Sequence, residues 1–239
     1  MMFVHGLGGN ARQWTPIRSA MASTVSSHAV DLAGHGQRRA DHGPYTIARF
    51  AEDLVDELRR IPAAEYILVG HSLGGAVCVE AARAFPDRVR QVLAVDSLLN
   101  PLYPRFGKGM IRAYRHALTY AFKPVMHAVL RGSHTAATAQ WVKDEAADEL
   151  LNLRREVALD ALLSLAEWDR DAVVSRCTAT TIVAYPAADL RFGGQSAAVA
   201  DMMKVRPVGA GGHYYFKMMP ELIASLVDAA VSEMPGTPR

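Results

Sequence analysis

The chain has 239 residues, 50% of them hydrophobic and 21% charged, with a formal net charge of +2. That size suits one domain with room for an inserted subdomain, and the composition argues against a disordered chain. The small charge gives no footprint for nucleic acid, no apolar run reaches the ~18 residues of a membrane span, and no basic-then-apolar leader is visible. Two cysteines, Cys78 and Cys177, fit reduced thiols in a cytoplasmic protein better than a disulfide framework.

Met1–Val4 reads as a short strand that runs into His5-Gly6-Leu7-Gly8-Gly9-Asn10, followed by a helix over Ala11–Ala22. Ser27–Leu32 is a second strand, ending in Asp31-Leu32-Ala33-Gly34-His35-Gly36. Ile47, Phe50, Leu54, Val55 and Leu58 mark one face of a helix over Thr46–Arg60, with Thr46 as its N-cap and Pro62 just beyond its end. Tyr66–Val69 is a third strand, Ser72–Phe85 a helix of small residues closed by Pro86, and Val89–Val95 a fourth strand. This alternation predicts an α/β fold, a mostly parallel sheet covered by helices on both faces. From Ser97 to Arg176 no strand signal appears, and Ala146–Trp168 carries one long helical stretch. The rhythm resumes with a strand over Thr180–Tyr185, a helix over Ser196–Met203, a strand over Lys204–Val208 and a closing helix over Pro220–Val231. The expected organisation is a core formed by 1–96 and 177–239, interrupted by a helical insertion, 97–176.

Two motifs compete for the chemistry. Gly6-Leu7-Gly8-Gly9-Asn10-Ala11 matches G-x-G-x-x-G/A between a strand and a helix, and Asp31 ends the next strand where a ribose-binding acid would sit. That is a dinucleotide fingerprint. The stretch Ile67-Leu68-Val69-Gly70-His71-Ser72-Leu73-Gly74-Gly75-Ala76 is more specific. It is a strand, then G-x-S-x-G, then a helix, the spacing that lifts a serine hydroxyl clear of the sheet on a sharp turn. Gly70 and Gly74 lack side chains where neighbouring backbone must come close. A nucleophile needs a base, and His213 follows the last strand in the loop Gly209-Ala210-Gly211-Gly212, beyond a C-terminal strand edge where open α/β sheets build their sites. The orienting acid is expected from another strand end. Asp189 is favoured and Asp96 is the alternative, since either keeps the chain order Ser, Asp, His.

With HGLGG at His5–Gly9, DLAGHG at Asp31–Gly36, GHSLGG at Gly70–Gly75, a late aspartate at Asp189 and GGH at Gly211–His213, the chain resembles the α/β-hydrolase family over nearly its whole length outside the insertion. The resemblance implies a hydrolase without cofactor or metal, acting on a small-molecule ester or related acyl compound. It implies a helical cap over 97–176 and an oxyanion hole made by the backbone N–H groups of Leu7 and Leu73. The family usually places two strands before the HG loop and a small hydroxyl residue near Arg38, and this chain departs on both counts. Missing strands would leave an edge, so a covering contact or a homodimer is expected. Between Ser97 and Lys143 there are seven basic residues and no acidic ones, among them Arg105, Lys108 and Arg112. This raises an anionic substrate, an acidic carrier protein or a membrane surface against the plainer reading of complementary charge within the cap. The same constellation would also serve a C–C bond hydrolase or a perhydrolase-like haloperoxidase, and a non-enzymatic receptor is the reading from another class.

Overall fold

Every apolar run read as a strand pairs in one sheet. The computed structural model describes residues 1–97, 99, 107–186, 203–208 and 211–234. Among these, six strands run parallel: β1 (Met2–Val4), β2 (His28–Val30), β3 (Tyr66–His71), β4 (Val89–Val95), β5 (Thr180–Pro186) and β6 (Met203–Val208). Their spatial order is β2-β1-β3-β4-β5-β6, and all five pairings are parallel. Beyond β1 the chain steps outward to β2 and then returns to the other side of β1 for β3. The C-terminal ends of β1 and β3 therefore flank the switch in strand order, the crevice where ligands bind in open α/β sheets.

The strands are apolar throughout because both faces of the sheet are covered. Successive side chains alternate between two cores, as a pleated strand requires. Val4, Leu68, Val92 and Ala94 pack with Phe50, Leu54 and Leu58 of α2 (Ile47–Arg60) and with Ala76 and Val77 of α3 (Leu73–Ala84). Phe3, Val69, Leu93 and Val95 face the other way, onto Trp14, onto Ile17 of α1 (Thr15–Ala20), and onto Ile223 and Val227 of the closing helix, Pro220–Ser232. The α2 cap is the expected one, with Thr46 Oγ1 accepting from Arg49 N at 3.2 Å.

Two helical expectations change. The helix read over Ala11–Ala22 is a 3₁₀ turn, Ala11–Trp14, followed by α1. Asn10 caps the turn through its side chain, and Pro16 stands at the start of the α-helix, where its missing N–H has no intrahelical partner to lose. The long stretch over Ala146–Trp168 is two helices. Between β4 and β5 lie α4 (Lys108–Tyr120), α5 (Phe122–Ser133), α6 (Gln140–Leu151), α7 (Arg155–Glu167) and α8 (Arg170–Val174). Asn152 closes α6 with its N–H on Asp148 O at 3.2 Å. Arg154 is extended, with ψ 134°, and its guanidinium reaches Tyr45 Oη at 2.7 Å and Asp41 O at 3.0 Å. A tertiary contact makes this break, and apolar periodicity carries no trace of it. After β6 come α9 (Tyr215–Met218) and α10 (Pro220–Ser232). The helix expected over Ser196–Met203 falls almost wholly outside the described residues. Among the described residues no helix is long and apolar enough to cross a membrane.

Candidate active site

Ser72 stands between β3 and α3 with φ 52° and ψ −118°. A non-glycine residue at positive φ is strained by about 1–3 kcal/mol and persists only where its surroundings hold it. Here they do so on both sides. Ser72 N–H continues the sheet by donating to Val95 O at 3.0 Å, and Ser72 O accepts from Gly75 N at 3.0 Å. A Cβ on Gly70 would run into Gly74 O, and one on Gly74 into the carbonyl oxygens of Val4 and His5, so the turn closes only with glycine at both positions. The Ser72 side chain makes no capping bond to α3, which leaves its hydroxyl for other chemistry. Leu73 is the first residue of α3, and a first-turn N–H has no partner within its helix.

His213 comes to the same place. Its Nδ1 lies 2.8 Å from Asp96 Oδ2. Asp96 is at the end of β4, with its side chain 1% exposed and φ 42°. Among the described residues the other oxygen, Oδ1, has no hydrogen-bond partner, and His213 is the group on the carboxylate. A buried carboxylate accepting from Nδ1–H fixes the imidazole tautomer and leaves Nε2 as the basic nitrogen. Asp189, favoured from the sequence, lies outside the described residues. Asp96, the alternative, is the one seen on His213.

Leu7, Ser72, Leu73 and His213 line one cavity of about 210 Å³, together with His71 and apolar side chains of α5, α6 and α7. Val129, Leu150, Ala161, Leu162 and Leu165 are five of its twelve described lining residues, and among the described residues no Lys, Arg, Asp or Glu lines it. Of the seven basic residues before Asp144, Arg105 lies outside the described residues and the other six stand away from this cavity. Among the described residues, no cluster of three or more His, Cys, Asp and Glu could hold a metal ion.

Three buried histidines underlie the site. His5 Nδ1 pairs with Gly6 O at 2.7 Å, and His5 Nε2 accepts from Leu32 N at 2.9 Å. One nitrogen must donate and the other accept, so His5 is neutral, and burial pulls its pKa down to about 4. Burial likewise takes His35, whose ring is tilted against that of His5, down to about 3. His71, the variable residue of G-x-S-x-G, lies well below the usual imidazole range, first because it is buried and then because His213 is close. Its ring centre is 4.6 Å from that of His213, and its Nε2 donates to His213 O at 3.1 Å. Sequence reasoning gave His71 no role at the site. Its adjacency to the serine was the available signal, but only the fold shows which loop it holds. Asp31, the acid of the dinucleotide reading, accepts from Ala11 N at 2.6 Å and from Gln37 N at 2.8 Å. Its carboxylate ties two loops together.

The model of a family described as the alpha/beta hydrolase family matches residues 1–226. Among curated proteins, the chain is 35% identical over 96 residues to the 2-(acetamidomethylene)succinate hydrolase of Mesorhizobium japonicum, covering 40% of this chain and 34% of that one. It is 37% identical over 97 residues to the pimeloyl-[acyl-carrier protein] methyl ester esterase of Aliivibrio salmonicida, covering 41% of this chain and 35% of that one. The matched segment is thus only about a third of either relative's length. Among solved structures, a hydrolase from Oleispira antarctica superposes with a TM-score of 0.83 over 98% of this chain and 90% of the other, at 14% identity. At that identity the likeness is one of fold.

Proposed function

The chain belongs to the alpha/beta hydrolase family, and from that premise we propose that it is a serine esterase whose nucleophile is Ser72, whose general base is His213 and whose orienting acid is Asp96. The observation that carries the reading is the 2.8 Å contact from His213 Nδ1 to Asp96 Oδ2, with His213 lining the same cavity as the strained Ser72. In the first half-reaction His213 Nε2 takes the Ser72 hydroxyl proton as Oγ bonds to the ester carbonyl carbon. The Leu7 and Leu73 N–H groups receive the oxyanion. Losing one such donor typically slows a reaction by about 10²–10³. As the intermediate collapses, the bond to the alcohol oxygen breaks and His213 returns its proton to that oxygen. Water then repeats the sequence on the acyl-enzyme, with His213 as base toward water and acid toward Ser72. Asp96 keeps Nδ1 protonated throughout and stabilises the transient imidazolium.

Helices α4 to α8 form the cap in this reading, and α5, α6 and α7 wall the cavity with apolar side chains. A lining without a cation among the described residues favours a neutral ester with a small aliphatic acyl group. A carboxylate-bearing substrate, such as the succinate named for the Mesorhizobium relative, would find no charged partner among the lining residues. A panel of p-nitrophenyl esters of rising acyl length, each paired with a carboxylate-bearing analogue, tests both points. Short neutral esters should turn over fastest, and Ser72→Ala should lower kcat by about 10⁴-fold or more with the fold intact. Activity retained in Ser72→Ala would overturn the assignment, and a preference for the charged series would overturn the substrate class.

A further inference from the structure

His213 is held through its backbone as well as through its ring. His213 N–H donates to Ser133 O at 2.9 Å, and His71 Nε2 donates to His213 O at 3.1 Å. Just before it, Gly211 O accepts from Thr138 Oγ1 at 2.9 Å. Ser133 ends α5 and Thr138 lies in the turn leading to α6, so two of these three supports come from the cap. Ser133 contributes a carbonyl, which no side-chain substitution removes. Thr138 contributes a hydroxyl, and that hydroxyl has a single proton. Thr135 N–H donates into the same oxygen at 2.9 Å, and Thr135 Oγ1 lies 3.4 Å from it, so the much shorter contact to Gly211 O takes the hydroxyl proton. Thr138 is 3% exposed, which leaves water little access to replace a lost bond.

The segment so held has little stiffness of its own. Gly211 and Gly212 have φ 153° and 70°, and glycine enters such conformations about as readily as any other. What they lean on therefore decides their conformation. A Cβ on Gly212 would come within 2.8 Å of Ser133 O and 3.1 Å of Thr138 Oγ1, so the contact with the cap is close-packed.

We propose that Thr138 is a positioning residue for acyl transfer. By holding Gly211 and Gly212 against the α5–α6 turn it keeps His213 on Asp96 and within reach of Ser72. The cap then covers the acyl group and also sets the general base, so a cap that is not seated leaves the base misplaced. This rests on His213 being the base.

The test compares Thr138→Val, which keeps the shape and removes the donor, with Thr138→Ser, which keeps the donor. A small displacement of a catalytic group is costly, so Thr138→Val should lower kcat by about tenfold or more while KM moves by less than about twofold. The rate at which a fluorophosphonate labels Ser72, per folded molecule, should fall with kcat, and Thr138→Ser should restore both to within about twofold of the parent. A merely structural role would lower the yield of folded enzyme without changing the labelling rate per folded molecule. Where Thr138→Val fails to fold, Thr138→Ala removes the same donor without adding bulk, and its labelling rate decides. A parental rate in the donor-less variant, or a Thr138→Ser variant as slow as Thr138→Val, overturns the proposal. Ser72→Ala run alongside separates the two levels. Its loss of activity with an unchanged Thr138→Val defeats this inference alone, whereas its continued activity defeats the esterase reading beneath it.

Discussion

Two glycine-rich turns meet at the C-terminal ends of β1 and β3, and glycine acts differently in each. In the turn around Ser72 the constraint is steric and between backbones. Gly74 lies so close to the carbonyl groups of Val4 and His5 that any side chain there would strike main chain. In the loop after β1 the hold is polar. Neutral His5 bridges Gly6 O and Leu32 N, Asp31 ties Ala11 N to Gln37 N, and a Cβ on Gly9 would meet the end of the Gln13 side chain at 2.6 Å. Both turns depend on the absence of atoms, since a Cβ on Gly6 would meet His71 Nδ1 at 2.8 Å and Gly8 has φ 80°, but the loop after β1 adds side-chain hydrogen bonds, one pair of which depends on a neutral His5. A residue strained as Ser72 is needs surroundings that cannot give way. A loop that offers an N–H needs only to be aimed.

The largest effect expected tests what the rigid turn serves. Asp96→Asn should reduce kcat by about 10³–10⁴ because the neutral amide no longer dictates the His213 tautomer. Asp189→Asn should stay within about threefold of the parent under the same logic. Steady-state kinetics of the two variants would reverse the assignment if the losses fell the other way round. The next effect compares the turns directly. Gly74→Ala should lower stability by about 3 kcal/mol or more, through a clash of backbone with backbone that no rotamer relieves. Gly9→Ala should cost less than about 1 kcal/mol, because Gln13 can turn aside. Equal shifts in urea midpoint would mean that the two glycines are equally constrained.

The last effect concerns protons and accumulates as pH falls. His5 is lowered to about 4 and His35 to about 3, from an ordinary 6.5. An imidazole whose pKa is depressed by folding binds its proton more tightly in the unfolded chain. The stability it contributes is complete above pH 6.5 and is lost as pH falls toward the folded value. Each such histidine adds a slope of about 1.4 kcal/mol per pH unit between pH 6.5 and 4. His35→Phe, which keeps a ring beside Phe50, should reduce the slope by that amount in urea titrations across this window. A slope unchanged by the substitution would mean that His35 is not held neutral by the fold.

How much of this was legible in the sequence follows from the range of the forces involved. The turn that carries Ser72 is local. Gly70, Ser72 and Gly74 lie within five residues, and the sterics that demand them are those of one turn between a strand and a helix. Strand identity was equally plain, because a sheet covered on both faces makes its strands apolar end to end. Other features arise from contacts between distant parts of the chain. Arg154 breaks the α6–α7 stretch by reaching Tyr45, 109 residues away, and residue spacing holds no record of such a partner.

By itself the sequence determined the α/β alternation, the family and the candidacy of Ser72 and His213, since each rests on short-range pattern and chain order. Tertiary structure decided which groups meet. Asp96 reaches His213 across 117 residues because β4, β5 and β6 run parallel in one sheet, so the chain leaves β4 and β6 at the same edge. His71 and Thr138 reach residues 211–213 across 142 and 73 residues. Those alignments are settled by packing two cores against one sheet, a property of the whole chain that no local stretch encodes.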